Sequence, residues 1–86
     1  MYHLEISPQA LTFLERLGKT HRPISDRLAA AIDHLRSDPF KGKKLLGELS
    51  NLRSLRVGEY RVLYAILQEK ILIRVVKIGH RREIYR

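Results

Sequence analysis

The residues best suited to chemistry lie late in this chain. Arg61 sits between Tyr60 and Val62 at the start of a run, Tyr60 to Leu67, that is otherwise aromatic and aliphatic. Further on, Gly79-His80-Arg81-Arg82 switches abruptly to basic residues, and Tyr85 follows just before the last residue, Arg86. A guanidinium keeps its charge at any physiological pH, and its planar fork matches phosphate oxygens two at a time. It stabilises negative charge; it does not accept a proton. Tyrosine can stack on a base or carry a proton, although an ordinary pKa of about 10 makes it a slow base near neutrality. Histidine is the side-chain type that changes charge closest to neutral pH, and His80 directly precedes the arginine pair. Such groups suit the binding of a phosphodiester and the stabilisation of further charge on it.

The charge distribution supports a polyanionic partner. The chain of 86 residues carries a formal net charge of +8. Residues 1 to 40 hold five Lys/Arg and five acids and sum to zero, so residues 41 to 86, with twelve Lys/Arg against four acids, carry the whole excess. A field concentrated in this way attracts nucleic acid, although a solvated basic surface accounts for the charge alone equally well. There is no cysteine, which excludes disulfides, thiolate metal sites and thiol nucleophiles together. Four dispersed histidines give no ligand spacing, so neither metal nor cofactor is expected. The start, Met1-Tyr2-His3-Leu4-Glu5, lacks the basic and apolar regions of a secretion signal, and no run of about 18 apolar residues exists to span a bilayer. The expectation is a soluble cytoplasmic protein of one domain, residues 1–86, with no membrane contact.

Elements to position these groups can be read from periodicity. Tyr2, Leu4 and Ile6 alternate with polar residues as in a short half-buried strand. Ser7-Pro8 supplies an N-cap and a first-turn proline, then Ala10, Phe13, Leu14 and Leu17 recur at helical spacing, with Gly18 as the expected stop. A second helix runs from Arg22-Pro23, with Ile24, Leu28, Ala31, Ile32 and Leu35 on one stripe, and Asp38-Pro39 ends it. Residues 41 to 51 read as a basic loop. Its Gly42 and Gly47 lack the Gly-Lys-Ser/Thr of a phosphate-binding loop. From Leu52 the period becomes two, giving strands over 52–57, 59–67 and 70–78 with a turn or bulge at Gly58. The order is β-α-α-β-β-β, an α+β fold with a small, mainly antiparallel sheet and a helical hairpin on one face. Tyr60, Val62, Tyr64 and Ile66 point one way, and Arg61, Leu63, Ala65 and Leu67 the other. The helix-free face is therefore expected to expose a mixed apolar and basic surface. Strand registers stay open, and with them which basic residues flank Arg61.

Arg56-Val57-Gly58-Glu59-Tyr60-Arg61-Val62-Leu63-Tyr64, followed by Lys77-Ile78-Gly79-His80-Arg81-Arg82-Glu83-Ile84-Tyr85, resembles the RelE/ParE superfamily of toxins. The likeness covers essentially the whole chain and is closer to the RelE side. It implies a toxin of a type II toxin–antitoxin system, a ribosome-dependent endonuclease of messenger RNA held inactive by a cognate antitoxin. Operator DNA would be met only through the antitoxin complex. The functional positions it implies are Arg61, Arg81 and Tyr85. Cleavage of RNA without metal uses the neighbouring 2′-hydroxyl as nucleophile, and needs a base, an acid for the leaving 5′-oxygen and cations for the phosphorane. Arg61 and Arg81 suit the last task, with Arg56, Lys43, Lys44, Lys77, His80 and Arg82 as further RNA contacts. Family members carry lysines on the strand before the hairpin, where this chain has Leu52, Ser54 and Arg56. The base is thus open between Tyr85, His80 and Lys77, and Tyr85 could instead anchor the terminus. Glu48 resembles an acid used by some relatives, or pairs with a nearby lysine. Two alternatives share the scaffold: a ParE-like toxin that blocks DNA gyrase without cutting RNA, and an inactive relative serving as antitoxin-bound corepressor.

Overall fold

In the computed structural model, which describes residues 1–84, strand β1 (His3–Ile6) passes through Ser7 into helix α1 (Pro8–Thr20). Ser7 caps that helix, its Oγ accepting from Ala10 N at 3.1 Å, and donates to Val76 O at 2.7 Å. Helix α1 continues through Gly18 to Thr20, so the glycine is not the expected stop. It serves packing instead. A Cβ at Gly18 would lie 3.4 Å from Ser25 Oγ, and Ser25 donates to Leu14 O at 3.1 Å, tying the two helices together where they approach. His21 alone separates α1 from α2 (Arg22–His34). A turn follows α2 before Pro39.

The remaining strands are β2 (Lys43–Lys44), β3 (Arg53–Val57), β4 (Tyr60–Leu67) and β5 (Leu72–His80). The sheet order is β1-β5-β4-β3-β2, with β1 parallel to β5 and every other pair antiparallel. The expected β-α-α-β-β-β order and α+β class hold, with one addition: the segment read as a basic loop contains a two-residue strand. Ala10, Leu28, Ile32 and Leu35 from the helical layer bury against Leu55, Val62, Tyr64, Ile73, Val75 and Ile78. Leu63 pairs with Lys77 but Tyr64 pairs with Val75, so Val76 is an extra residue in β5. This bulge reverses the alternation of β5.

Tyr64 locks the loop that leads into β2. Its hydroxyl donates to Pro39 O at 2.7 Å and accepts from Gly42 N at 2.9 Å. Gly42 is required there, because an added Cβ would stand 2.5 Å from that hydroxyl. Arg53 closes the same loop through Gly42 O at 3.0 Å and lies 5.2 Å above the centre of the Phe40 ring. Tyr64→Phe leaves both backbone partners short of a bond and is expected to reduce stability by about 1–3 kcal/mol, read from a urea midpoint. Burial pushes the Tyr64 phenol above its ordinary pKa, against weaker pulls from the Gly42 bond and Arg53. Since the folded value lies above the unfolded one, this contribution to stability is complete below about pH 10 and is lost as pH rises further. That part of the alkaline loss should vanish in Tyr64→Phe.

Candidate nucleic-acid interface

The site is built on the β3–β4 hairpin. Two residues, Gly58 and Glu59, join the strands, and of these only Gly58 takes a positive φ, of 59°. That is the requirement of a type II′ turn, which matches the twist of the flanking strands and fixes their register. Arg56 consequently stands directly opposite Arg61, and Arg61 opposite Gly79. One step along, Lys43, Ser54, Leu63 and Lys77 form the next row across β2, β3, β4 and β5. Val62, Ile78 and Leu55, which alternate with these residues, are core. Both rows therefore lie on the helix-free face.

Like charges directly opposite on neighbouring strands destabilise a sheet. Here Arg56 and Arg61 are so placed, and among the described residues no carboxylate forms an ion pair with either. Their side chains rest on neutral oxygens: Arg61 Nη1 donates to Ser54 Oγ at 3.3 Å, and Arg56 Nε to Gly58 O at 3.4 Å. Arg74 also faces this side but is already matched, its Nε lying 2.6 Å from Glu5 Oε1. An anion set over the Arg56–Arg61 pair would relieve their repulsion and find several guanidinium donors.

Arg81 follows the last residue of β5. Its backbone N donates to Glu59 O at 2.8 Å, and its Nε lies 3.0 Å from Glu59 Oε2. The chain then turns, with Glu83 N and Ile84 N both donating to His80 O. Ile84 is buried, and its Cδ1 would lie 3.2 Å from a Cβ at Gly79. Gly79 shares the side of Arg61, so this packing folds the tail back towards the arginine pair. Residues 81–84 are thus docked, in contrast to a free basic tail. Arg82 is exposed in that turn.

Other expected site residues are distributed differently. His80 pairs with Tyr60 and stands on the helix side, its ring 5.8 Å from that of Tyr60, which in turn meets Phe13. Its Nδ1 accepts from Arg82 N at 3.3 Å. It is therefore not on the face of Arg61, because the bulge at Val76 puts Lys77 and Gly79 there instead. Lys44 points to the side opposite Lys43 by alternation along β2. Tyr85 lies outside the described residues. The expected exposed apolar character of the open face is also corrected. Leu63 is buried and Ala65 and Leu67 half-buried, while the large exposed apolar residues include Phe40, Leu46, Leu49 and Ile71. Glu48 is exposed in a turn, Gly47–Leu49, and forms no ion pair among the described residues. Among the described residues no group of three or more His, Asp or Glu could hold a metal ion, and no helix is long and apolar enough to cross a membrane. Glu59, the ion-pair partner of Arg81, was not among the residues singled out from the sequence. Only the register of β4 against β5 reveals it, by setting it across from Arg81.

Comparison with known proteins gives a consistent picture. Residues 4–85 match the family model described as the ParE toxin of the type II toxin–antitoxin system parDE. Toxin RelG of Mycobacterium tuberculosis is 31% identical over 85 residues, which cover 92% of this chain and 98% of RelG. Toxin RelE of the same organism is 33% identical over 91 residues, covering 99% of this chain and 87% of that protein. Among solved structures, the RelBE2 toxin–antitoxin complex of M. tuberculosis contains a chain that superposes with a TM-score of 0.81 at 28% identity, covering 93% of this chain and 98% of its own length.

Proposed function

This chain belongs to the RelE/ParE superfamily of toxins from type II toxin–antitoxin systems, and from that premise we propose that it is a metal-independent endoribonuclease that cuts messenger RNA on the ribosome. The observation that carries this reading is the cross-strand Arg56–Arg61 pair, unmatched by any carboxylate among the described residues. The 2′-hydroxyl attacks the adjacent phosphorus and the bond from phosphorus to the 5′-oxygen breaks, leaving a 2′,3′-cyclic phosphate and a 5′-hydroxyl. Arg61, with Arg56 beside it, binds the non-bridging oxygens and stabilises the added charge of the phosphorane. Arg81 contributes from the end of the sheet. Lys43 and Lys77, one row along, steady the neighbouring backbone phosphates. Tyr85 relays a proton or stacks on the base beside the cut. The ribosome orients the message, which lets so small a site work through alignment.

The partners that follow are translating ribosomes in the cytoplasm and a cognate antitoxin that holds the protein inactive. The RelBE2 complex is the precedent for such a pairing in a relative. Operator DNA is reached through that complex. The test is a brief, tightly controlled induction followed by mapping of new 5′-hydroxyl ends across the transcriptome. Cuts confined to translated frames are expected. Intact transcripts with a loss of DNA supercoiling would overturn the reading in favour of gyrase inhibition, and intact transcripts with normal supercoiling would leave an antitoxin-bound corepressor.

A further inference from the structure

We propose that Glu59 is a positioning residue for Arg81, holding that guanidinium by one edge so that its other edge is presented to the substrate phosphate. The inference rests on the role given to Arg81 above. Glu59 Oε2 lies 3.0 Å from Arg81 Nε, and Glu59 O accepts from Arg81 N at 2.8 Å, so both backbone and side chain of one residue fix the other. A guanidinium has five N–H donors. With the Nε side ion-paired to Glu59, the edge formed by the two terminal nitrogens remains for a bidentate phosphate contact.

The backbone of Glu59 is set by the turn that the positive φ of Gly58 defines. His80 Nε2 stands 4.0 Å from the same carboxylate oxygen and flanks it from the helix side. The ion pair contributes little to stability, since its side chains are 42% and 59% exposed. A carboxylate near the path of a polyanion also opposes binding. Both facts are accounted for if the carboxylate serves to restrict the rotamers of Arg81, a long side chain that must otherwise lose that freedom in the transition state.

The test uses the full chain, freed of antitoxin, cutting a defined message in purified ribosomal complexes under steady-state conditions. Glu59→Ala is expected to lower kcat about 10-fold, with KM unchanged or lower because a repulsive charge is gone. Its melting temperature should match that of the unsubstituted protein. Glu59→Gln, which keeps the length of the side chain and a polar oxygen beside Nε, should recover most of the lost rate. In an Arg81→Ala background, Glu59→Ala should have no further effect on kcat. An undiminished kcat in Glu59→Ala, or an equal loss with and without Arg81, overturns the positioning role while leaving the reading of Arg81 in place. An Arg81→Ala protein that cuts at the normal rate overturns that reading first.

Discussion

Arg61→Ala is expected to slow cleavage of ribosome-bound message by about 100-fold or more while the protein keeps its melting temperature. Loss of one preorganised donor to the developing charge of a transition state carries a penalty of this order, roughly 10²–10³ in rate. Arg61 is well suited to show it. It sits on the rigid strand β4, between two other strands, and its Nη1 is steadied by Ser54 Oγ at 3.3 Å. Removing it also takes away the repulsion with Arg56 opposite, which is why no loss of stability is expected. Arg61→Lys should recover only part of the rate, because an ammonium keeps the charge but not the planar fork. Growth arrest on induction and primer extension on one abundant transcript measure the effect. Arrest and cutting at normal levels in Arg61→Ala would remove this face from the mechanism.

Gly79→Val should disable the protein by a different route. Valine suits a strand, so β5 should persist. Its side chain, however, would occupy the space of Ile84, whose Cδ1 lies 3.2 Å and whose Cα lies 3.8 Å from the position of a Cβ at Gly79. Ile84 is buried, so displacing it lifts the turn that begins at Arg81. Misplacing a catalytic group by about 1 Å is enough to cost roughly 100-fold. The expected result is cleavage reduced by about that factor, with far-ultraviolet circular dichroism unchanged and with faster protease nicking after His80. Normal cleavage together with normal protease resistance would show that the docking of Ile84 has no bearing on the site.

Much of this arrangement was legible from residue patterns, and the exceptions have identifiable causes. The helices follow from spacing and from Ser7-Pro8, whose cap is present as read. Gly18 was misread because a helix interior also uses glycine for close approach, here to Ser25. Strand β2 could not be read, since Lys43-Lys44 has no apolar alternation; its place follows from Tyr64 and Arg53 anchoring the loop before it. The parity of β5 was the most consequential loss. Arg74 and His80 share parity in sequence, yet Val76 intervenes as an extra residue and puts them on opposite faces. Composition carries no sign of such a bulge. The Arg56–Arg61 pairing was not legible either: a second strand read from residue 59 leaves Gly58 alone as the turn, whereas β4 begins at Tyr60 and the two-residue turn at Gly58-Glu59 sets the register.

Strand β2 has one more implication. A sheet ends in a row of unpaired backbone groups that invites the sheet of another molecule, and long apolar borders are where aggregates begin. This border is two residues long, and both are lysines, one projecting to either side. A second copy attempting to extend the sheet there would meet ammonium groups and almost no backbone to pair with. Thr and Val in place of Lys43 and Lys44 should turn this border into a template for polymer growth, seen as light scattering that rises with protein concentration.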